Sequence, residues 1–144
     1  PSSSYNGFYG FWSWDSWKQA VGLCLFNPEL AKSNILSMFD YMDSLGMVAD
    51  CIYLDKSENN WRDTKPPLSA WAVEKVYQKC NDVSFVAKMY PYLVKYHRWW
   101  YAHRDHDGNG LCEYGSTDGS RIAAAWESGM DNAVRFDSAV IVKN

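Results

Sequence analysis

Helical segments of two kinds alternate along this sequence, and that alternation restricts its fold more than any other feature. Segments 17–26 and 68–79 are almost wholly apolar, whereas segments 28–45 and 84–103 carry apolar residues at helical spacing. A helix that is apolar all round is buried on most sides, and an amphipathic helix keeps one face in water. Two concentric layers of helices produce this alternation, whereas a four-helix bundle makes its helices similarly amphipathic. The sequence therefore predicts an all-α fold that forms part of a layered barrel.

Local signals predict where these helices begin and end. Asn27 followed by Pro28 is typical of a helix start, and Gly46 is typical of a helix stop. Pro91 predicts a kink or a break in the fourth segment, because proline lacks the backbone N–H that a helix interior uses. We expect ordered loops at 5–15, which mixes glycine with aromatic residues, and at 105–120, which is polar and glycine-rich.

Composition excludes two classes of partner and leaves a surplus of aromatic residues to explain. With 14 Lys+Arg against 17 Asp+Glu, the net charge of −3 offers no basic field for nucleic acid. No apolar run approaches the roughly 20 residues that a membrane span requires. The 144 residues suit one domain, but 8 Trp, 10 Tyr and 6 Phe exceed what one small core needs. The excess indicates either a functional use for these residues or a core larger than this chain can build alone.

Three segments carry a resemblance to a known family. They are 10–18 (GFWSWDSWK), Lys65-Pro66-Pro67 ahead of an apolar helix, and 126–137 (WESGMDNAVRFD). Together they resemble the catalytic domain of glycoside hydrolase family 63 and, more distantly, trehalases and glucoamylases. The resemblance implies an (α/α)6 barrel, or toroid, of antiparallel helix pairs. Such a barrel uses twelve helices and this sequence offers four or five, so we expect residues 1–144 to be a fragment of a catalytic domain.

The resemblance implies an inverting, exo-acting α-glucosidase that releases terminal α-linked glucose from oligosaccharides. Two alternatives stay open: a trehalase-like or glucosylglycerate-type hydrolase of the same barrel, and a non-catalytic helical module that binds carbohydrate. The expected partners are an oligosaccharide or disaccharide and the remainder of the catalytic domain, with neither nucleic acid nor membrane. The family's catalytic base lies on a late helix with no match here, so we expect the fragment alone to be inactive. The compartment is open: the resemblance favours a periplasmic or secreted bacterial protein, and a cytoplasmic one is compatible with the sequence.

Asp131 is the predicted general acid. Glycoside cleavage needs a carboxylic acid to protonate the leaving oxygen, and apolar neighbours such as Met130 would help it to keep its proton. Gly129 would let a sugar ring approach the backbone, and Arg135 would hold a hydroxyl or orient a carboxylate. Spacing alone also fits a turn or helix-capping aspartate, and the family match favours the acid.

A second predicted group is a sugar-binding wall near the start of the chain. Aromatic faces pack against the C–H face of a pyranose, and a carboxylate accepts hydrogen bonds from its hydroxyls. The family match gives Asp15 a contact with the glucose of the −1 subsite, the sugar position on the non-reducing side of the cleaved bond. From the residues alone, the aromatics also fit a core and Asp15 a helix cap. The predicted substrate-binding residues of the wall are Phe11, Trp12, Trp14 and Asp15. Lys65, in the second of the three segments, is predicted to bind substrate as well.

A third predicted site is a structural Ca²⁺ site in the loop after the fourth segment. Oxygen donors at alternating positions, with glycine at position 6, match the first three-quarters of an EF-hand loop. Position 12 is Ser116 instead of the usual bidentate Glu, so a cation would need another donor from elsewhere. A solvated Asp-Gly-Asn-Gly turn is the alternative. The predicted ligands are Asp105, Asp107, Asn109, the Leu111 carbonyl and Glu113.

Overall fold

The structure is a computed structural model that describes residues 8–141. Within these residues it contains five α-helices, two two-residue strands and two 3₁₀ helices. The helices are α1 (Ser13–Leu23), α2 (Pro28–Phe39), α3 (Ser69–Cys80), α4 (Val83–Arg104) and α5 (Arg121–Glu127), and the strands are β1 (Phe11–Trp12) and β2 (Cys51–Ile52). The 3₁₀ helices span Lys56–Glu58 and Val134–Phe136. No helix in the described part of the chain is long and apolar enough to cross a membrane.

Helix α1 begins at Ser13, four residues earlier than the apolar run predicts. The prediction of a loop through residue 15 is therefore wrong at its end, because Trp14 and Asp15 form the first helical turn. The residue before the helix is Trp12, whose side chain makes no capping hydrogen bond, so no polar cap signal marks this start. Asp15 does not cap the helix; its charge lies in the first turn, where the helix dipole stabilises it.

The structure confirms the predicted start of α2 but not its predicted end. The Asn27 side chain accepts a hydrogen bond from the Leu30 backbone N–H at 3.0 Å, with Pro28 at the first helical position. The helix ends at Phe39, well before Gly46, so the prediction of Gly46 as its stop is wrong. Gly46 instead lies in a tight turn with a φ of +111°, where Asp43 Oδ1 accepts hydrogen bonds from the N–H groups of residues 45, 46 and 47.

Helix α4 runs unbroken through Pro91, so of the two predicted alternatives, a kink or a break, the break is wrong. Pro91 is exposed, and water can therefore hydrogen-bond the carbonyl that the proline leaves without a partner. The helix begins at Val83, and the preceding Asp82 caps it: its side chain accepts a hydrogen bond from the Phe85 N–H at 3.0 Å. The preceding α3 ends at Cys80 and is followed by Asn81, which adopts the left-handed conformation with a φ of 53°.

The core lies where α1 to α4 pack against one another. Its largest fully buried apolar side chains are Trp17, Ile35, Met38, Val76, Met89 and Tyr96, which come from all four helices, and Val48, from the segment after α2. The first apolar segment is not buried throughout, since Leu25 and Phe26 lie beyond the end of α1 and are 65% and 76% exposed. These two side chains are apolar surface that this part of the chain leaves uncovered.

A two-stranded antiparallel ribbon positions the aromatic segment beside the polar one. Phe11 pairs with Ile52 and Trp12 with Cys51, and the Ser13 N–H donates to the Asp50 carbonyl at 2.9 Å. Strands of two residues carry no periodic pattern, so the sequence did not predict this ribbon. Its effect is to hold the start of α1 next to residues 50–60.

Candidate active site

A cleft of about 700 Å³ opens beside the ribbon. Its wall is formed by β1, the first turn of α1, residues 50–65 and the segment after α5. Six of the predicted site residues line it together: Phe11, Trp12, Trp14, Asp15, Lys65 and Asp131. Further lining residues are Phe8, Gly10, Gln19, Asp50, Tyr53, Asn60 and Trp126. Residues from both ends of the described chain thus meet at one polar and aromatic site.

The aromatic wall, formed by Phe11, Trp12 and Trp14, is half-buried. This is the exposure expected of rings that pack one face on protein and turn the other toward a ligand. Trp12 contacts Tyr53 edge-on, with ring centroids 6.3 Å apart. The Lys18 ammonium lies 3.2 Å from the centre of the Trp14 ring, a cation–π contact that fixes the indole from one side. The rings are therefore held in place while part of their surface stays accessible.

Gly129 packs behind this wall and does not line the cleft. Its φ of +71° is in the left-handed region, and a Cβ built there would lie 2.5 Å from two carbons of the Trp14 indole. The ring that closely approaches the Gly129 backbone is therefore Trp14, where the sequence suggested a sugar. Glycine is required at this position both for the backbone conformation and for the contact.

Asp131 lies in the turn that follows α5, at the edge of the cleft. Its side chain is 48% exposed, and its Oδ1 lies 3.9 Å from Lys65 Nζ. Trp126 lines the cleft near it, whereas Met130 is 46% exposed and contributes no enclosing wall. Within the described residues Asp131 is accessible to a ligand and is not surrounded by the apolar side chains that the sequence suggested.

A buried polar group, the Lys65 cluster (Asp50, Asn60, Asp63 and Lys65), adjoins the cleft, and three of its members, Asp50, Asn60 and Lys65, line it. Lys65 Nζ lies 3.1 Å from Asp50 Oδ1 and 3.9 Å from Asp63 Oδ2, and it donates a hydrogen bond to the Trp126 carbonyl at 2.6 Å. The Asn60 amide bridges the two carboxylates, at 2.8 Å from Asp50 and 2.9 Å from Asp63. These four side chains link the 50–65 segment to α5.

The two carboxylates of this cluster have shifted proton affinities. Burial raises the pKa of both Asp50 and Asp63, and the charge of Asp50 raises the pKa of Asp63 further. Lys65 opposes both shifts because a nearby cation favours the ionised carboxylate. Asp50 Oδ1 and Asp63 Oδ2 are buried and accept no hydrogen bond, so the Lys65 ammonium balances them as a charge. No sequence signal pointed to Asp50, which precedes a strand of only two residues.

Glu127 is buried next to the site and holds several segments of the chain together. Its fully buried carboxylate forms a two-point ion pair with Arg104, with Nη2 to Oε2 at 2.9 Å. It also accepts hydrogen bonds from the Thr64 N–H at 3.2 Å and from the Gly115 N–H at 2.8 Å. Glu127 therefore joins the end of α4, the 62–65 segment and the 105–120 loop to α5. The carboxylate thus belongs to a buried ion-pair and hydrogen-bond network.

Arg135 does not reach the cleft. Its guanidinium lies 5.1 Å from the centre of the Phe136 ring, and its Nη2 is 3.2 Å from Met130 Sδ. Within the described residues it makes no contact with a carboxylate. Its predicted contact with a sugar hydroxyl therefore stays a prediction that the arrangement of this segment does not support.

The predicted calcium loop uses its oxygen atoms to close turns. Asp105 Oδ2 accepts from the Gly110 N–H at 3.0 Å, and Glu113 Oε2 accepts from the His106 N–H at 2.8 Å. Asp107 and Asn109 make similar bonds, the latter to the N–H of Leu111. Among residues 8–141 no three His, Cys, Asp or Glu side chains are grouped so that they could hold a metal. The fit to Ca²⁺ is therefore incomplete, with the buried, unpartnered Asp105 Oδ1 as its best support.

Comparison with known proteins places the chain in a family. The family model described as the mannosylglycerate hydrolase MGH1-like glycoside hydrolase domain matches residues 8–143. The chain belongs to this MGH1-like glycoside hydrolase family. The matched range contains both the aromatic wall and Asp131.

Two relatives carry the names of glycerate-glycoside hydrolases. The mannosylglycerate hydrolase of Thermus thermophilus is 30% identical over 165 residues, which cover 96% of this chain and 38% of that protein. The glucosylglycerate hydrolase of Mycolicibacterium hassiacum is 24% identical over 159 residues, which cover 89% of this chain and 34% of that protein. The MGH1-like chain thus spans somewhat more than a third of the length of each of these two relatives.

A solved structure confirms the fold class. The glycoside hydrolase family 63 mannosylglycerate hydrolase of Thermus thermophilus, determined in complex with glucose, matches with a TM-score of 0.75 and 27% identity. The match covers 92% of this chain and 35% of that one. The resemblance to family 63 and the all-α, helical-barrel fold class are both confirmed. The same enzyme has also been determined with Tris and D-glycerate.

Proposed function

We propose that the protein to which this chain belongs is an inverting glycoside hydrolase that cleaves short α-linked hexosides, with Asp131 as general acid. The observation that carries the proposal is the meeting of Asp131 with an aromatic wall and Asp15 in one cleft. A general acid must reach the glycosidic oxygen, and Asp131 lies at the cleft edge with half of its side chain exposed. Glycoside cleavage requires two carboxyl groups that flank the scissile bond, and Asp131 would be the one that protonates the leaving oxygen.

In the proposed reaction Asp131 gives its proton to the glycosidic oxygen as the bond from that oxygen to the anomeric carbon breaks. A water attacks the opposite face of the sugar and loses its proton to a carboxylate base. The acid and base of inverting enzymes stand about 6.5–9.5 Å apart, which leaves room for the water. We place the base outside residues 1–144, as the resemblance implies. Trp12 and Trp14 would pack on the sugar ring, and Asp15 would accept hydrogen bonds from its hydroxyls.

Glycerate-linked hexosides are the first substrates to test. Both of these relatives bear the names of enzymes that hydrolyse such compounds, and a related structure was determined with Tris and D-glycerate. Release of terminal glucose from oligosaccharides, which the sequence favoured, is a finer prediction with weaker support, although a related structure was determined with glucose. The proposed substrate class is therefore an α-linked hexose on a small aglycone.

The test is a substrate panel with the full-length protein. It contains mannosylglycerate, glucosylglycerate, trehalose and an α-linked glucose disaccharide, and proton NMR reads the anomer that is first released. We expect turnover of a glycerate hexoside with release of the β-anomer, and a loss of about 10²–10⁴-fold in kcat for Asp131→Asn. Asp40→Asn, an exposed aspartate outside the cleft, is the matched control and should keep full activity. No turnover of any α-linked hexoside, or equal activity of Asp131→Asn, would overturn the proposal.

A further inference from the structure

A second pocket, the Arg62 pocket, adjoins the cleft. It has a volume of about 490 Å³ and shares Tyr53, Asn60 and Trp126 with the lining of the cleft. Its other lining residues are Glu58, Asn59, Trp61, Arg62 and Thr117. The aromatic wall and Asp15, which are proposed to bind the hexose, line the cleft and not this pocket. The Arg62 pocket is therefore free to take the aglycone, the group on the other side of the cleaved bond.

Arg62 is held in this pocket from several sides. Its Nε donates to Asp118 Oδ2 at 2.6 Å, and its Nη2 donates to Ser120 Oγ at 2.8 Å. Its guanidinium carbon lies 5.3 Å from the centre of the Trp126 ring, which is a cation–π contact. The Arg62 backbone carbonyl accepts a hydrogen bond from the Thr117 N–H at 2.7 Å. A ligand would therefore meet a guanidinium that is already oriented, which lowers the entropy that binding costs.

The guanidinium keeps donors for a ligand after these contacts. It has five N–H groups, and the bonds to Asp118 and Ser120 use two of them. The side chain of Arg62 is 44% exposed, so a ligand can reach it from solvent. Exposed ion pairs are weak, so Asp118 orients the guanidinium at little cost to its capacity for a further partner. The planar fork of a guanidinium matches the two oxygens of a carboxylate.

The other cations near the site are less suited to meet an anion. Lys65 and Arg62 are the two cations among the described residues that line the cleft or the Arg62 pocket. The Lys65 side chain is 5% exposed, and its ammonium already contacts Asp50 and the Trp126 carbonyl. Lys18 lies against the Trp14 ring and lines neither space. Arg62 is therefore the cation that an anionic aglycone can reach.

An anion would also need this contact because an acid shares the pocket. Glu58 lines the Arg62 pocket, and its Oε2 accepts a hydrogen bond from the Tyr9 hydroxyl at 3.2 Å. A carboxylate that entered without pairing with Arg62 would be repelled by Glu58. A neutral aglycone meets neither the attraction nor the repulsion. The pocket can therefore distinguish a charged aglycone from a neutral one of the same size.

We propose that the Arg62 pocket is the aglycone subsite and that Arg62 selects a small aglycone that carries a carboxylate. The inference rests on the proposed function, in which the hexose lies against the aromatic wall and Asp131 protonates the glycosidic oxygen. The N–H groups that Asp118 and Ser120 leave free would donate to the carboxylate oxygens. Arg62 is thus a specificity-determining residue that binds substrate and takes no part in the proton transfer.

The test compares two substrates that differ in the charge of the aglycone. Hexosyl glycerate carries a carboxylate where hexosyl glycerol, with the same hexose and linkage, carries a hydroxymethyl group. We expect the full-length parent to prefer the glycerate, and Arg62→Gln to lose about 10-fold or more in kcat/KM on it. The same variant should lose less than about 2-fold on the glycerol compound. Arg62→Lys, which keeps the charge without the fork, should show a smaller loss of the same kind.

Two controls separate this role from others. Arg98→Gln, at an exposed arginine of α4 that lines neither space, should leave kcat/KM unchanged on both substrates. Lys18→Met removes the other nearby cation and should keep the ratio of the two kcat/KM values even if both fall. If Arg62→Gln does not fold, as judged by circular dichroism, Arg62→Lys carries the test, since its loss must also be larger on the glycerate.

Three results would overturn the inference. They are an equal loss on both substrates in the Arg62 variants, no preference of the parent for the glycerate, and loss of the preference in Lys18→Met with its retention in Arg62→Gln. With Asp131→Asn inactive on a neutral or charged α-hexoside, each of these results leaves the proposed function intact. Full activity of Asp131→Asn would reject the proposed function itself.

Discussion

The Trp14 indole occupies the space that a side chain at Gly129 would need. A Cβ on Gly129 would lie 2.5 Å from Cη2 and Cζ3 of Trp14, closer than any real contact between such atoms. Trp14 belongs to the aromatic wall, and Gly129 is two residues before Asp131. The contact therefore couples the position of the wall to the position of the proposed acid.

Gly129→Ala tests this coupling. We expect the substitution to lower the free energy of unfolding of the full-length protein by about 2–4 kcal/mol, because overpacking adds to the cost of a left-handed backbone. It should also lower kcat/KM, since Trp14 or the Asp131 turn must move. Gly108→Ala is the matched control: its φ is +70° but nothing lies within 4 Å of its Cβ position. Thermal unfolding that is equally affected in both variants would contradict the coupling.

The buried ion pair of Glu127 with Arg104 predicts a large effect on stability. Glu127→Gln keeps the shape but leaves Arg104 without its counter-charge, and breaking a buried pair costs about 3–5 kcal/mol. Asp118→Asn, which breaks the exposed pair with Arg62, should cost less than about 1 kcal/mol. Urea unfolding of the two variants measures the difference. Equal losses would show that Glu127 is not the link that joins α4 to α5.

The raised pKa values of Asp50 and Asp63 predict how stability depends on pH. A carboxyl group whose pKa is higher in the folded state stabilises the fold fully below its unfolded-state pKa. That contribution is lost as the pH rises through the folded-state value. Asp63→Asn removes the titration of Asp63, so the variant should become progressively more stable relative to the parent as the pH rises from about 4 toward neutrality. A difference in unfolding free energy that is constant over this range would contradict the shift.

The calcium prediction is tested by metal binding to the full-length protein after treatment with a chelator. If the 105–113 loop holds Ca²⁺, adding the ion raises the thermal midpoint, because a ligand that binds the folded state stabilises it. Asp105→Asn should abolish this rise, while Asp55→Asn, an exposed turn aspartate elsewhere, should keep it. A midpoint that does not respond to calcium would leave the loop as a set of hydrogen-bonded turns.

The sequence correctly predicted those helix boundaries that depend on interactions within a few residues. Asn27 and Pro28 mark the start of α2 because the cap and the fixed φ are local effects. The start of α1 was missed because Trp12, which precedes it, makes no side-chain cap. Pro91 was given too much weight, since on an exposed face water can satisfy the group that the proline leaves free.

The residues of the candidate site also fall into two groups, those that sequence motifs predicted and those that only tertiary packing reveals. The wall and Asp131 were found through motifs, and the structure brings them into one cleft. Asp50 and Tyr53 were missed because they reach the cleft through a ribbon too short to leave a pattern. Gly129 was identified for a reason that proved wrong: its required neighbour is the Trp14 ring. Such contacts depend on tertiary packing, which a single sequence does not display.

The dependence of hydrolysis on the leaving group tests the role of Asp131 most directly. Kinetics of the full-length Asp131→Asn protein should be compared on an α-hexosyl glycerate and on the fluoride of the same hexose, whose departure needs no proton. We predict that the variant loses about 10²–10⁴-fold in kcat on the glycerate hexoside and keeps most of its activity on the fluoride. An equal loss on both substrates, or no loss on the glycerate hexoside, would contradict the assignment of Asp131 as the general acid.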